Sequence, residues 1–271
     1  EKYSSCMKYV KEKFGDVLLS SLAVPDIQRF FNELLCTGGQ ENKGLASSTV
    51  RGVRRYFIGC LEKAVKLGLL IKNPVKLTDP PRLVKEEIKP LNKEQAKLLL
   101  QVARTEAVQS LMNKRKNAEM SECDVFCAVY IALSTGMRLG EVLGLKWDDI
   151  LFEQMTLMVR RSRVSTQKGV IIEEPKTGIA RKIPIHQDLV NALKTHRKRQ
   201  EWHKKRIAEL YDDQSWVIGG SFGRNYNPKH FSSRKYKKLL QKAEIDKSFT
   251  FHDLRHTHAS LLLLEGINPK I

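Results

Sequence analysis

Apolar residues recur at helical spacing through most of the chain, with one β-rich stretch near residues 155–185. Residues 1–14 read as a short helix and "VPDIQRFFNELL" as a second. Pro25 falls in the first turn of the second helix, where a missing N–H is tolerated, and Gly38–Gly39 closes it. The serines of "LASS" are good helix caps. Beyond them Val50, Val53, Phe57, Cys60, Leu61, Ala64 and Val65 mark one apolar face of a longer helix. Arg51, Arg54, Arg55, Lys63 and Lys66 occupy the rest of that helix surface. Residues 1–80 are therefore expected to form a small all-helical domain.

The stretch "NPVKLTDPPRLVKEEIKP" holds four of the nine prolines and separates two periodic regions. A linker is expected over 81–90, followed by a second domain over 91–271. Asn92 with Gln95 three residues later is a capping-box pattern. A helix through "CDVFCAVYIALSTG" stops at Gly136, and another opens at Met137–Arg138. "MTLMVRRSRV", "GVIIEEPK" and "ARKIPI" predict three strands in an antiparallel meander. Helices resume at 187–210, about 229–243 and 251–265. The fold class that follows is mainly α with a small antiparallel β-sheet.

Composition adds a formal charge of +18. A positive field of that size attracts polyanions, nucleic acid first and an anionic membrane surface a distant second. Solvated lysine faces are the bland alternative. No apolar stretch approaches the length of a membrane span, so no membrane partner is expected. Five cysteines, an odd number without paired spacing, suit a reducing cytosol better than a disulfide framework. Cys123 and Cys127 lie one helical turn apart, but nothing near them completes a metal set, so buried thiols are expected.

The chemistry concentrates in "FTFHDLRHTHASLLLLEG". Thr250 with Asp253 is a capping-box signature that starts a helix near Phe251. His252 and Arg255 then share one face of the first turn, where free amides and the helix dipole favour an anion. Zinc between His252 and His256 is the competing reading, and it is the weaker one. Asp253 stands where a metallopeptidase wants Glu, and Arg255 repels a cation. His256 and His258 are expected to pack. A second arginine, Arg138, opens a helix in "STGMRLGEVLGLKWDDI", with Glu141 placed to orient it; a plain surface ion pair is the alternative. Lys176 ends a strand beside a tight turn, a weak signal by itself.

Together these segments resemble the tyrosine recombinase (phage integrase) family. "TGMRLGE" is similar to its first arginine box, "HDLRHTHAS" to its H-x-x-R box, and "PKTGIARKIPI" to its β-hairpin lysine motif. The resemblance runs from about Val50 to Gly266, and the integrases of conjugative transposons and temperate phages look nearest. It implies a helical core-binding domain followed by an α+β catalytic domain. It also implies site-specific DNA recombination, integrating and excising a mobile element through a 3′-phosphotyrosyl intermediate. Arg138 and Arg255 would clamp the phosphate, His252 would add a hydrogen bond, Lys176 would protonate the leaving 5′-oxygen, and Glu141 would sit behind them. No metal or other cofactor is needed.

The family places its nucleophilic tyrosine after the H-x-x-R box, so that residue is expected beyond Ile271. Neither Tyr226 nor Tyr236 is assigned, and residues 1–271 alone are expected to be inactive. Arg51, Arg54, Arg55, Arg234 and Lys235 are the candidate DNA contacts. Expected partners are duplex DNA at element ends and target, further copies of the chain as dimers or tetramers on DNA, and an excisionase or DNA-bending protein. A type IB topoisomerase and a non-catalytic, sequence-specific DNA binder are the alternatives.

Overall fold

The computed structural model describes residues 2–39, 43–83, 90–112, 119–174 and 180–268. The chain divides into two compact units, Glu1–Glu87 and Ile88–Ile271.

Three helices build the first unit: α1 (Lys2–Phe14), α2 (Val24–Thr37) and α3 (Ser47–Lys66). Their apolar stripes close on one core around Ile27, Phe31, Val50, Val53 and Phe57. Pro25 sits in the first turn of α2 as its chemistry allows. Two details differ from the pattern. Cys60 is exposed, because the buried stripe of α3 steps from Phe57 to Leu61 and passes it by. The cap of α3 is Ala46, and the serines that follow lie inside the helix.

Asn73 then fastens the chain end of this unit. Its amide nitrogen donates to the Ile58 carbonyl at 3.0 Å and to Glu62 Oε1 at 2.9 Å. Its side-chain oxygen accepts from the Val75 amide at 3.1 Å.

The second unit is organised around α5 (Glu119–Thr135), a helix apolar on nearly every side. Val125, Ala128, Val129, Ile131 and Ala132 are all buried. Against it pack α4 (Lys93–Met112), the short α6 (Leu139–Leu143), α7 (Gln187–Ile207) and α10 (Asp253–Leu264). A helical run joins α8 (Pro228–His230) to α9 (Lys237–Lys242) through a π-helical turn at Phe231–Tyr236. The Asn92–Gln95 capping box forms as expected, with reciprocal bonds of 3.1 and 2.8 Å.

The β-region is not a single meander. β1 (Ile150–Leu151), β2 (Thr156–Val159) and β5 (Arg181–Pro184) form one antiparallel sheet in the order β1-β2-β5. β3 (Ser162–Thr166) and β4 (Gly169–Glu173) form a separate hairpin. The stretch read as one strand breaks at Arg160–Arg161. Consecutive strand residues point to opposite faces, yet both guanidiniums reach the buried Asp149, at 3.4 and 2.7 Å. The backbone must leave the pleat to allow that. Among the described residues, no helix is long and apolar enough to cross a membrane.

Candidate active site

Three elements shape one place in the second unit, to which α10 brings Arg255 and His252. The first is the end of α5, where Gly136 takes φ +64°, a conformation that side-chain-bearing residues resist. A Cβ there would also lie 2.7 Å from the His258 ring. His258 in turn bonds the Leu133 carbonyl through Nδ1 at 2.8 Å, so it packs, as its position suggested. The turn leaves the Gly136 carbonyl free to accept from Arg255 Nη1 at 2.6 Å.

The second element is α6. Arg138 is its N-terminal cap residue, and its amide donates to Glu141 Oε2 at 2.9 Å. Its guanidinium, half-exposed, donates to Glu141 Oε1 at 3.2 Å. Gly140 lets α6 approach β3, because a Cβ there would lie 2.5 Å from the Arg163 carbonyl.

The third element is β5. Pairing sets Arg181 opposite the buried Val159 and Ile183 opposite Leu157, so Arg181 points to the inner side. It meets Glu141 with a two-pronged contact, Nη1 to Oε1 at 3.0 Å and Nη2 to Oε2 at 2.7 Å.

Glu141 is thus a buried post between two arginines. Burial pushes its carboxyl up, but Arg181 and Arg138 outweigh that and hold it below the usual carboxylate range. Arg255 feels the charges of Arg138, Glu141 and Arg181 as well. Three guanidiniums around one carboxylate leave a positive excess, and Arg138 stays open to solvent. An oxyanion is the complement of such a surface.

His252 stands at the cap of α10, exposed, with its ring centroid 5.1 Å from that of His256. The helix starts at Asp253, two residues later than expected, although the Thr250–Asp253 pair forms. Burial, then His256 and Arg255, lower the His252 pKa, so the ring is neutral near pH 7. A neutral imidazole donates through one nitrogen. Among the described residues, no three His, Cys, Asp or Glu side chains are grouped to hold a metal ion.

Arg138, Glu141 and Arg255 therefore come together, with His252 beside them. Lys176 lies outside the described residues. Tyr236 is fully buried, and Tyr226 is partly buried with its hydroxyl donating to Asp124 at 2.9 Å. Neither phenol is placed to attack an external substrate.

Two candidate DNA contacts are spent inside the fold. Arg54 donates to the Thr78 hydroxyl at 3.0 Å and to the Thr78 carbonyl at 2.7 Å, tying α3 to the turn after it. The Lys235 ammonium donates to Ser121 Oγ on α5. Arg55 and Arg234 are exposed and Arg51 is half-buried. Sequence reasoning missed Arg181. Its signal was the alternation of "ARKIPI", which puts a charge on the same face as Ile183 and so demands a buried partner.

The Phage integrase family model matches residues 89–271. The chain is 28% identical to a tyrosine recombinase XerC-like protein of Caldanaerobacter subterraneus subsp. tengcongensis, covering 97% of this chain and 66% of that one. The chain thus spans about two thirds of that relative's length. Among solved structures, the Tn1549 transposon integrase in complex with transposon right end DNA superposes with a TM-score of 0.78 at 21% identity, over 98% of this chain and 81% of that one. A lambda integrase dimer bound to a COC′ core site gives 0.67 at 19% identity, over 99% and 83%. At such identities the likeness establishes the fold.

Proposed function

Because the chain belongs to the phage integrase family, we propose that it is the DNA-binding and strand-exchange core of a site-specific recombinase acting on a mobile element. The observation that carries this reading is the grouping of Arg138, Arg181 and Arg255 about one buried carboxylate, with His252 beside them.

In the proposed reaction a tyrosine hydroxyl attacks a DNA phosphorus atom. The P–O bond to the 5′-oxygen breaks, leaving a 3′-phosphotyrosyl link and a free 5′-hydroxyl. The charge that grows on the non-bridging oxygens is met by Arg138 and Arg255, whose positions are set before the reaction by Glu141 and by the Gly136 carbonyl. Arg181 steadies Glu141. His252 donates one hydrogen bond, and Lys176 supplies the proton to the departing oxygen. Attack by a second strand's 5′-hydroxyl reverses the step and rejoins DNA, so the energy of the original bond is retained. Guanidinium groups do the work that a metal does elsewhere.

The partner is duplex DNA, consistent with the +18 charge and with the DNA complexes of the two structural neighbours. Self-association on DNA as dimer or tetramer, and help from an excisionase or a DNA-bending protein, complete the proposal. Arg51, Arg55 and Arg234 remain its DNA contacts.

A nicked suicide substrate tests the reading in a chain extended through the nucleophilic tyrosine. A covalent protein–DNA adduct is expected. Arg138→Ala and Arg255→Ala should each slow adduct formation roughly a hundred- to a thousandfold while DNA affinity stays close to the parent's. Equal losses of binding and cleavage would make the arginines general phosphate contacts.

A further inference from the structure

A cavity of about 530 Å3 opens between α4, α5 and α7 and shares no lining residue with the arginine cluster. Arg104 of α4 and Arg199 of α7 line it, with Phe126, Cys127 and His196. The recombinase reading uses none of these groups.

His196 is the informative residue, only 2% exposed. Its Nε2 lies 2.8 Å from the Val217 carbonyl oxygen and 3.3 Å from Asp124 Oδ1. A carbonyl only accepts, so Nε2 carries the proton. In the neutral ring Nδ1 is then a bare lone pair, and it is buried with no hydrogen-bond partner among the described residues. The Cys127 thiol lies against this imidazole. Thiol and imidazole are therefore neighbours, which is what activation of a cysteine by a base requires. Asp124 Oδ1 stands 3.3 Å behind the ring with no hydrogen bond among the described residues. Burial works against a charged imidazole here, but Cys127 and Asp124 outweigh it, and the ring holds a proton more tightly than an ordinary histidine. Burial pushes the thiol of Cys123, one turn earlier on α5 and also lining the cavity, up to about 11, with Arg199 Nη1 3.9 Å from its sulfur.

We propose that Cys127 is a modification site that reacts with small disulfides bearing carboxylates. Arg104 and Arg199 draw the anionic reagent into the cavity. His196 takes the Cys127 proton, and the thiolate attacks one sulfur of the reagent. The new S–S bond joins that sulfur to Cys127 Sγ, the reagent's own S–S bond breaks, and the departing thiolate leaves with the proton from His196. Cys127 is oxidised and the released half of the reagent is reduced, so the exchange balances without another reactant.

The test uses the chain with Cys36→Ser and Cys60→Ser, because those two exposed thiols would react on their own. Dithiobis(nitrobenzoate) serves as the anionic probe and cystamine as the cationic one. One fast equivalent of dithiobis(nitrobenzoate) per folded chain is expected, mapped to Cys127 by peptide mass, with Cys6 and Cys123 unreacted until unfolding. An unassisted thiol is only about 3% thiolate at pH 7, so His196→Gln should slow the reaction up to about thirtyfold. Arg104 is exposed, and Arg104→Gln should fold normally. It should slow the anionic probe several-fold and leave cystamine unchanged. If His196→Gln unfolds, the mapping and the Arg104→Gln comparison decide alone. A fast equivalent on another cysteine, no reaction before unfolding, or equal Arg104→Gln effects on both probes overturns the proposal. None of these results bears on the recombinase reading.

Discussion

Arg255 is anchored to Gly136: its Nη1 donates to that residue's carbonyl at 2.6 Å, across 119 positions of sequence. The contact exists because α5 ends in a left-handed turn at φ +64° that leaves the carbonyl free to accept. The loop after α5 thus positions both arginines, Arg255 by its carbonyl and Arg138 by leading into α6. Any side chain at Gly136 would be strained by its backbone and would press on the His258 ring at 2.7 Å. Gly136→Ala should therefore cost about 1–3 kcal/mol in urea unfolding. A loss under about half a kcal/mol would mean that the turn relaxes freely.

Glu141 links stability to pH. Its carboxyl is buried, which raises its pKa, but Arg181 and Arg138 bring it below the ordinary value. A lowered folded-state pKa means that the unfolded chain binds more protons in the window between the two values. The contribution is thus fully present above the ordinary carboxylate range and drains away as pH falls through the folded value. Because Arg138 and Arg181 are 50% and 38% exposed, solvent screens the interaction. Glu141→Gln should cost about 2 kcal/mol at pH 7, and the gap to the parent should narrow by pH 4. Unfolding at the two pH values measures it; a gap that does not change with pH would assign the linkage to another group.

How far the site could be read in advance depended on whether a residue's role is local. Arg138, Glu141, His252 and Arg255 sit at helix starts, where a few neighbours specify the geometry, and the fold brings three of them together. Arg181 depends on strand register: only the pairing of Val159 with Arg181 turns it toward Glu141. The meander reading failed for a related reason, since nothing local says that Arg160 and Arg161 share Asp149 and break the strand. Arg54 and Lys235 are the reverse case. A cation on a helix looks the same in sequence whether it faces solvent or, as here, folds onto Thr78 or Ser121.

That distinction separates Arg54 from Arg55. Arg54→Ala removes bonds to Thr78 and to the carbonyls of Val75 and Lys76, and should cost about 1–3 kcal/mol of stability. Its effect on the salt dependence of DNA binding should be small. Arg55 is exposed, its guanidinium 5.1 Å from the Tyr56 ring centroid. If it meets a phosphate, Arg55→Ala should leave stability unchanged and reduce the log–log salt slope by about 0.9. Paired unfolding and binding titrations check both, and a reversed pattern would exchange the two roles.

Lys176 carries the proposed proton transfer, and its test turns on the leaving group. A lysine ammonium is a point donor on a flexible stem, suited to reach a departing oxygen. An alkoxide leaves badly unless protonated, since its parent alcohol has a pKa near that of water, about 15.7. A thiolate, from a thiol of pKa about 8.5, leaves without help. In a chain that includes the nucleophilic tyrosine, Lys176→Ala should cut ordinary DNA very slowly. It should cut a substrate with sulfur at the 5′-bridging position at close to the parent rate. Arg138→Ala lacks charge stabilisation rather than a proton, so sulfur should not rescue it. Single-turnover cleavage of the two substrates measures the difference. If Lys176→Ala is equally slow on both, the lysine positions DNA and another group delivers the proton.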